Sequence, residues 1–341
     1  MAQLQHNRKT GWARPVSPRL LKLGVLVIVL LEVVLFTASY AARVNPVKKV
    51  TTALPLPGTL PFAGPSAPAP EAVVYSPFEK PLSKPMGVAV VNRRIYVTDT
   101  NNQRVQIFDY DGRPLGSFGS NGQGEGQFRF PYGVAGDSQG RLYIADLYNN
   151  NISVFDQDGK FIRYLGAKGD LTRPGGLFID GDRLYVTDIG SSRVLVYALD
   201  GTKLLAFGSP GQAPGQMSSP NGIFHTGGRI YVTDTGNDRV QVFDDRGQPL
   251  LQFDGRTADK NYAKIINPRG ITVDAKGTIY VVSNLTSKVE AFNQKGEPVY
   301  SFGSMGDGEG QFQLPNGLCL DDQGRLYVTD TVGNRLVVFQ S

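Results

Sequence analysis

One cysteine, two histidines and one tryptophan occur in 341 residues, and each scarcity removes a class of chemistry. A lone cysteine cannot form an intrachain disulfide. Cys319 stands in the apolar run Gly317-Leu318-Cys319-Leu320, which predicts a buried, unreactive thiol. His6 lies far along the chain from His225. A multi-histidine zinc site is therefore out of reach, and a Ser-His-Asp or Cys-His set would depend on His225 as its base. Val90, Ile179, Val273 and Leu320 hold the equivalent of position 225 in other repeats, so that histidine reads as a packing residue.

A surplus of positive charge is also missing where it would matter. The chain has 35 basic and 30 acidic residues, but residues 1–72 hold eight of the basic and two of the acidic ones. The remainder carries 27 and 28, a balance near −1. Nucleic-acid binding leans on clustered lysine and arginine, so a nucleic-acid partner is not expected.

One long hydrophobic run is present. Residues 23–42 read LGVLVIVLLEVVLFTASYAA, long enough to span a bilayer as a helix and broken only by Glu32. Five Lys or Arg residues precede it and three follow closely. That asymmetry predicts a cytoplasmic tail (1–22), a single-pass signal-anchor helix (23–42) and an extracytoplasmic remainder. The alternative is a cleaved signal peptide ending at Ser39-Tyr40-Ala41, which would leave a secreted protein. Residues 43–71 are rich in Pro and Ala and read as an extended spacer.

From residue 85 onward the chain repeats itself. Pro-x-Gly-apolar recurs at Pro85, Pro131, Pro174, Pro220, Pro268 and Pro315. Each copy is followed by a polar turn and an apolar strand: residues 95–99, 142–146, 184–188, 230–234, 279–283 and 326–330. A third strand follows, then a hairpin signal such as Asp111-Gly112 or Asp200-Gly201, where positive φ is tolerated. A fourth strand, such as 114–118, ends the unit. Four short strands per unit, six times over, predict an all-β fold, a six-bladed β-propeller. The sixth copy ends before its fourth strand. Ala72-Val73-Val74-Tyr75-Ser76 resembles Pro298-Val299-Tyr300-Ser301-Phe302, so residues 72–76 are expected to close the ring and to begin a propeller domain of residues 72–341.

The motif PxGVAV…IYVTD..N.RVQVFD..G.PL..FG, clearest over residues 85–119 and 220–253, resembles the NHL-repeat family. WD-repeat propellers need Trp-Asp landmarks, and the single tryptophan is Trp12. The resemblance implies a binding platform for a protein or surface ligand. It also admits two enzyme readings. A peptidyl-amidating lyase needs several histidines that are absent. A calcium-dependent lactonase of the gluconolactonase or paraoxonase type is the alternative function; Asn221 and Asn316 would serve it as oxygen ligands. Met86, Tyr132, Gly175 and Arg269 fill the equivalent positions without a carboxylate, so no catalytic set, metal or cofactor is expected.

The recurring Asp99, Asp146, Asp188, Asp234 and Asp330, with Arg104, Arg193, Arg239 and Arg335 five residues on, read as corner-fixing scaffold because they repeat. The loops Gly122–Gly126 and Gly306–Gly310 read as turns between blades, since no helix follows to bind phosphate. Function is then expected where the repeat is irregular. The candidate interaction face is Tyr132, Leu147, Tyr148, Asn221, Arg269 and Asn316, with aromatic and aliphatic side chains beside polar ones.

Overall fold

The computed structural model describes residues 47–49, 67–76, 80–256 and 265–340. The expected tail and membrane helix lie outside these residues. Among the described residues no helix is long and apolar enough to cross a membrane.

Six antiparallel sheets carry the repeat. Blade one comprises Pro85–Val91, Arg94–Asp99, Arg104–Asp109 and Pro114–Phe118, from the channel outward. Blade two comprises Pro131–Gly136, Leu142–Asp146, Asn151–Phe155 and Phe161–Tyr164; blades three to five follow the same order. The first strands touch their neighbours in a closed ring, with the sixth against the first. The second and third strands of a blade are covered on both faces, so β-branched residues, leucine and aromatics run through them without alternation. Six apolar clusters result, one between each pair of adjacent blades. Tyr185, Val194 and Val196 of blade three, for example, pack with Ile223, Val232 and Phe243 of blade four.

Blade six draws its outer strand from upstream of blade one. Ala69–Val74 pairs with Arg335–Gln340, placing Val73 opposite Val337 and Val74 opposite Leu336. The strand starts three residues before the expected 72 and stops two before 76. Pro70 sits at the register shift of that ladder, where a missing N–H is tolerated, and this is why a proline-rich stretch concealed the strand's start. The stretch expected to be spacer also supplies Val47–Lys49, a fifth, outermost strand paired to Ala72–Val74. Extra outer strands are weakly apolar and leave little trace in a hydrophobic pattern.

The Pro-x-Gly phrase is explained by the inter-blade approach. A Cβ on Gly87 would overlap the carbonyl oxygen of Tyr132, one on Gly176 that of Asn221, and one on Gly222 that of Arg269. Every blade repeats this contact at the channel, so glycine is the residue that lets the inner strands close together.

Candidate functional site

The corner aspartates and arginines are scaffold. Arg104 Nε donates to Asp99 at 2.7 Å, Arg193 to Asp188 at 2.9 Å, Arg239 to Asp234 at 2.8 Å and Arg335 to Asp330 at 3.1 Å. The aspartates also accept backbone N–H groups of the loop leading into their own blade, as from Ser83, Thr172 and Ser218. Two hydroxyl staples bind blade to blade. Thr98, Thr187, Thr233 and Thr329 each accept from the glycine N–H of their own blade and donate to the next blade's carbonyl, at 2.6–2.8 Å. Thr100, Thr235 and Thr331 donate to the next blade's proline carbonyl at 2.6–2.8 Å. Asn284 makes that second bond through Nδ2 and is buried. Its amide is therefore engaged in the fold, although Asn284-Leu285-Thr286 reads as a glycosylation acceptor.

Four of the six candidate residues meet at the channel mouth. Tyr132 Oη donates to Asn221 Oδ1 at 2.7 Å and lies 3.4 Å from Asn316 Oδ1, while Arg269 Nη1 donates to the same hydroxyl at 3.3 Å. Arg269 is held by Asn267, which accepts from its Nε at 2.7 Å. The phenol thus lies across the mouth, and the polar groups around it satisfy one another. A cavity of about 60 Å³ lies beneath, among Met86, Tyr132, Asn221 and Asn316. A second of about 240 Å³, lined by Phe178, Phe224 and Cys319 among others, occupies the far half of the channel.

Exposure divides the candidate face in a way the repeat pattern did not show. Tyr132 is 7 % exposed and Leu147 9 %, packed with Met86 and against Phe130 and Ile189. Both were expected on the surface; they are core, because blade two puts Leu147, and blade three Ile189, where the other four blades put a stapling threonine or asparagine, and these apolar side chains pack together. Tyr148 is 47 % exposed and leans on Phe130 at 4.7 Å, with Lys84 above that ring at 5.4 Å. Three further apolar side chains at this mouth, Leu285, Val332 and Ile266, are absent from the expected face. Leu285 is 58 % exposed, Val332 53 % and Ile266 38 %, all on lead-ins or corners at this mouth. For Leu285 and Val332 the signal was there in their departure from the Asn101, Gly190 and Gly236 of other corners.

Among the described residues no reactive constellation forms. His225 bridges blades three and four, with Nδ1 2.7 Å from Asp180, Nε2 2.7 Å from Asp245, and its ring stacked on Tyr185 at 4.5 Å. The Cys319 thiol is pushed well up by burial. At the channel mouth the residues fit a divalent cation poorly. Asn221 and Asn316 turn their oxygens to a phenol, and Arg269 supplies a positive charge to the same point. The loops Gly122–Gly126 and Gly306–Gly310 are tied by glutamine: Gly124 N–H donates to Gln127 Oε1 at 3.0 Å, and Gly308 N–H to Gln311 Oε1 at 2.9 Å.

Comparison with known families agrees with this geometry. The family described as NHL repeat matches residues 82–108, 218–243 and 312–339, which are blades one, four and six. The chain carries NHL repeats. A family described as 6-bladed beta-propeller matches residues 135–207, across blades two and three. The NHL matches fall on blades whose Asp-Arg corner is complete, whereas blade two has Asn151 and blade five has Ser283 and Lys288 at those places. Among solved structures, this propeller is similar to a gluconolactonase from Xanthomonas campestris, at 18 % identity and TM-score 0.59, over 82 % of this chain and 96 % of that one. It is similar to virginiamycin B lyase from Staphylococcus aureus at 15 % identity and TM-score 0.56, over 80 % and 85 %. Hydrazine synthase from Kuenenia stuttgartiensis aligns at 13 % identity and TM-score 0.55, over 83 % and 99 %. At such identities the likeness is one of fold, which hosts unrelated chemistries.

Proposed function

We propose that the chain is a non-catalytic binding module, held at a membrane by residues 23–42, that presents the channel-mouth face of its propeller outside the cytoplasm to a protein or surface ligand. The observation that carries the reading is the state of that face. Its central polar groups are satisfied by one another, while Tyr148, Leu285 and Val332 stand exposed around them. Exposed aromatic and aliphatic side chains framed by polar ones suit macromolecular contact. The anchor rests on hydropathy and flanking charge alone.

The test is capture by cross-linking in the native membrane, comparing wild type with the double variant Tyr148→Ser, Leu285→Ser. Both side chains are exposed, so the melting temperature should hold within a degree or two while capture falls at least tenfold. Retained capture would reject this face. The gluconolactonase-like fold raises calcium-dependent lactone hydrolysis as a second reading, which would require carboxylate ligands that the mouth does not assemble. Calcium-dependent stabilisation together with lactone turnover would establish it instead.

A further inference from the structure

Charge is balanced over the propeller but not across its channel mouth. On the lead-in loops and corners of blades one to three, Lys80, Lys84, Arg129, Lys168 and Arg173 stand against Glu125 and the buried Asp146. The other acids there, Asp99, Asp170 and Asp188, are paired with Arg104, Lys203 and Arg193. Among the described residues none of those five cations takes part in an ion pair. Beyond their own ion pairs, the same loops of blades four to six carry the exposed acids Asp238, Asp307 and Glu309 against the half-buried Arg269 and Lys288.

The positive arc is built around Tyr148. Lys84 Nζ reaches from blade one to lie 5.4 Å over the Phe130 ring, on which Tyr148 leans at 4.7 Å. Arg129 precedes Phe130 and is exposed, its backbone N–H held by Asp146. Arg173, also exposed, donates its backbone N–H at 2.9 Å to Asn150, two residues beyond Tyr148. Three cations from three consecutive blades thus frame one exposed aromatic side chain.

Two of these cations sit where the backbone disfavours them. Lys84 and Arg173 are left-handed, at φ 57° and 61°, in the position that blade five gives to Asn267 and blade four to Ser219. Asparagine enters this region several-fold more readily than most residues, and backbone strain of this kind gathers at binding sites. The fold alone favours asparagine at both places, so two long cations there answer to something outside the fold.

We propose that the partner of this face presents an acidic protein segment, carboxylates interspersed with apolar side chains, which lies across blades one to three. Its carboxylates meet Lys84, Arg129 and Arg173, and an apolar side chain packs on Tyr148. The inference rests on the reading of this face as a partner surface and names the chemistry that the surface takes. Complementary charge selects the partner and speeds encounter, while desolvated apolar contact holds it. A uniformly charged polyanion such as RNA suits the mouth less well, because one spanning it would meet Asp238, Asp307 and Glu309.

The probes are a synthetic peptide of repeating Glu-Glu-Trp, the same peptide with Gln in place of Glu, and polyuridylate. Calorimetry on the full chain should show saturable binding of the Glu peptide, at least tenfold tighter than the Gln peptide and weakening as salt is raised. The double variant Lys84→Asn, Arg173→Asn removes two cations and suits the left-handed backbone. It should keep or raise the melting temperature while losing at least tenfold in Glu-peptide affinity and in cross-linked capture. Equal affinity for the two peptides, tighter binding of polyuridylate, or full affinity in the double variant would overturn the proposal. So would a lowered melting temperature in that variant, which would make both cations scaffold. Any of these results with capture still abolished by Tyr148→Ser, Leu285→Ser would reject the acidic partner and leave the face reading standing. Capture lost in Lys84→Asn, Arg173→Asn but untouched by Tyr148→Ser, Leu285→Ser would keep the acidic partner and sink the apolar contact on which the face reading rests.

Discussion

At the residue scale, the repeat's most regular letters are those where one atom more or fewer is not tolerated. Gly222 is the clearest case, since a Cβ there would run into the carbonyl of Arg269 while Thr233 donates to that same carbonyl at 2.8 Å. Gly116, on the outer strand of blade one, has open space around its Cβ position. Gly222→Ala is therefore expected to destabilise the fold by about 1–3 kcal/mol through overpacking, and Gly116→Ala to leave it within ~0.5 kcal/mol. Urea midpoints of the two variants check this. Equal midpoints would mean that the inner ring can relax.

At the scale of elements, the lower turns tie blade six to blade one. Tyr110, on the hairpin turn of blade one, donates to Asp321 at 2.7 Å, and Tyr327 donates to the same carboxylate at 2.9 Å. Arg325 adds an Nε bond at 3.0 Å and lies 3.7 Å over the Tyr110 ring, with Arg93 4.2 Å away on that ring as well. Burial pushes the Asp321 carboxyl up, but the bonds from Tyr110, Arg325 and Tyr327 outweigh it and bring it down. A carboxyl lowered on folding stabilises the native state above the unfolded value of about 3.9. That contribution is lost as pH falls through the native value. Asp321→Asn should therefore be less stable than wild type at pH 7, with the gap narrowing as pH drops below 4. Urea midpoints measured from pH 7 to pH 2.5 test this, and a gap independent of pH would assign the loss to packing.

At the scale of the molecule, closure of the ring depends on a strand separated from its blade by the whole domain. Ala72, Val73 and Val74 are buried against blade six, and without them Arg335–Gln340 would present an unpaired edge. Deleting residues 67–76 should lower the melting temperature by ten degrees or more and promote self-association through that edge. Calorimetry and light scattering read both effects. An unchanged melt would show that the five remaining blades and a three-stranded sixth suffice.

The blade count, the strands within each blade and the scaffold role of the Asp-Arg corners were legible in the sequence because they repeat. Six copies of one phrase average out local ambiguity, and a strand covered on both faces leaves a dense apolar trace. The existence of a closing strand was legible too, from the missing fourth strand of the last copy. Its limits were not, because Pro70 masks its start and Tyr75, past its last paired residue, is aromatic yet exposed. Side-chain exposure at the channel mouth was decided by tertiary structure alone. Tyr132 and Leu147 look like surface letters in the repeat, yet convergence of six first strands brings Tyr132 within hydrogen-bonding reach of Asn221, Asn316 and Arg269. The residue ahead of each corner arginine position also turns left-handed in all six blades, from Gln103 at φ 49° to Asn334 at φ 53°. In alternate blades this lets Asn150, Asp238 and Asn334 accept the N–H that opens the next blade. Sequence periodicity determines what each blade is. Contacts between residues a blade or more apart have no period to announce them, so only the closed ring decides which surface remains for a partner.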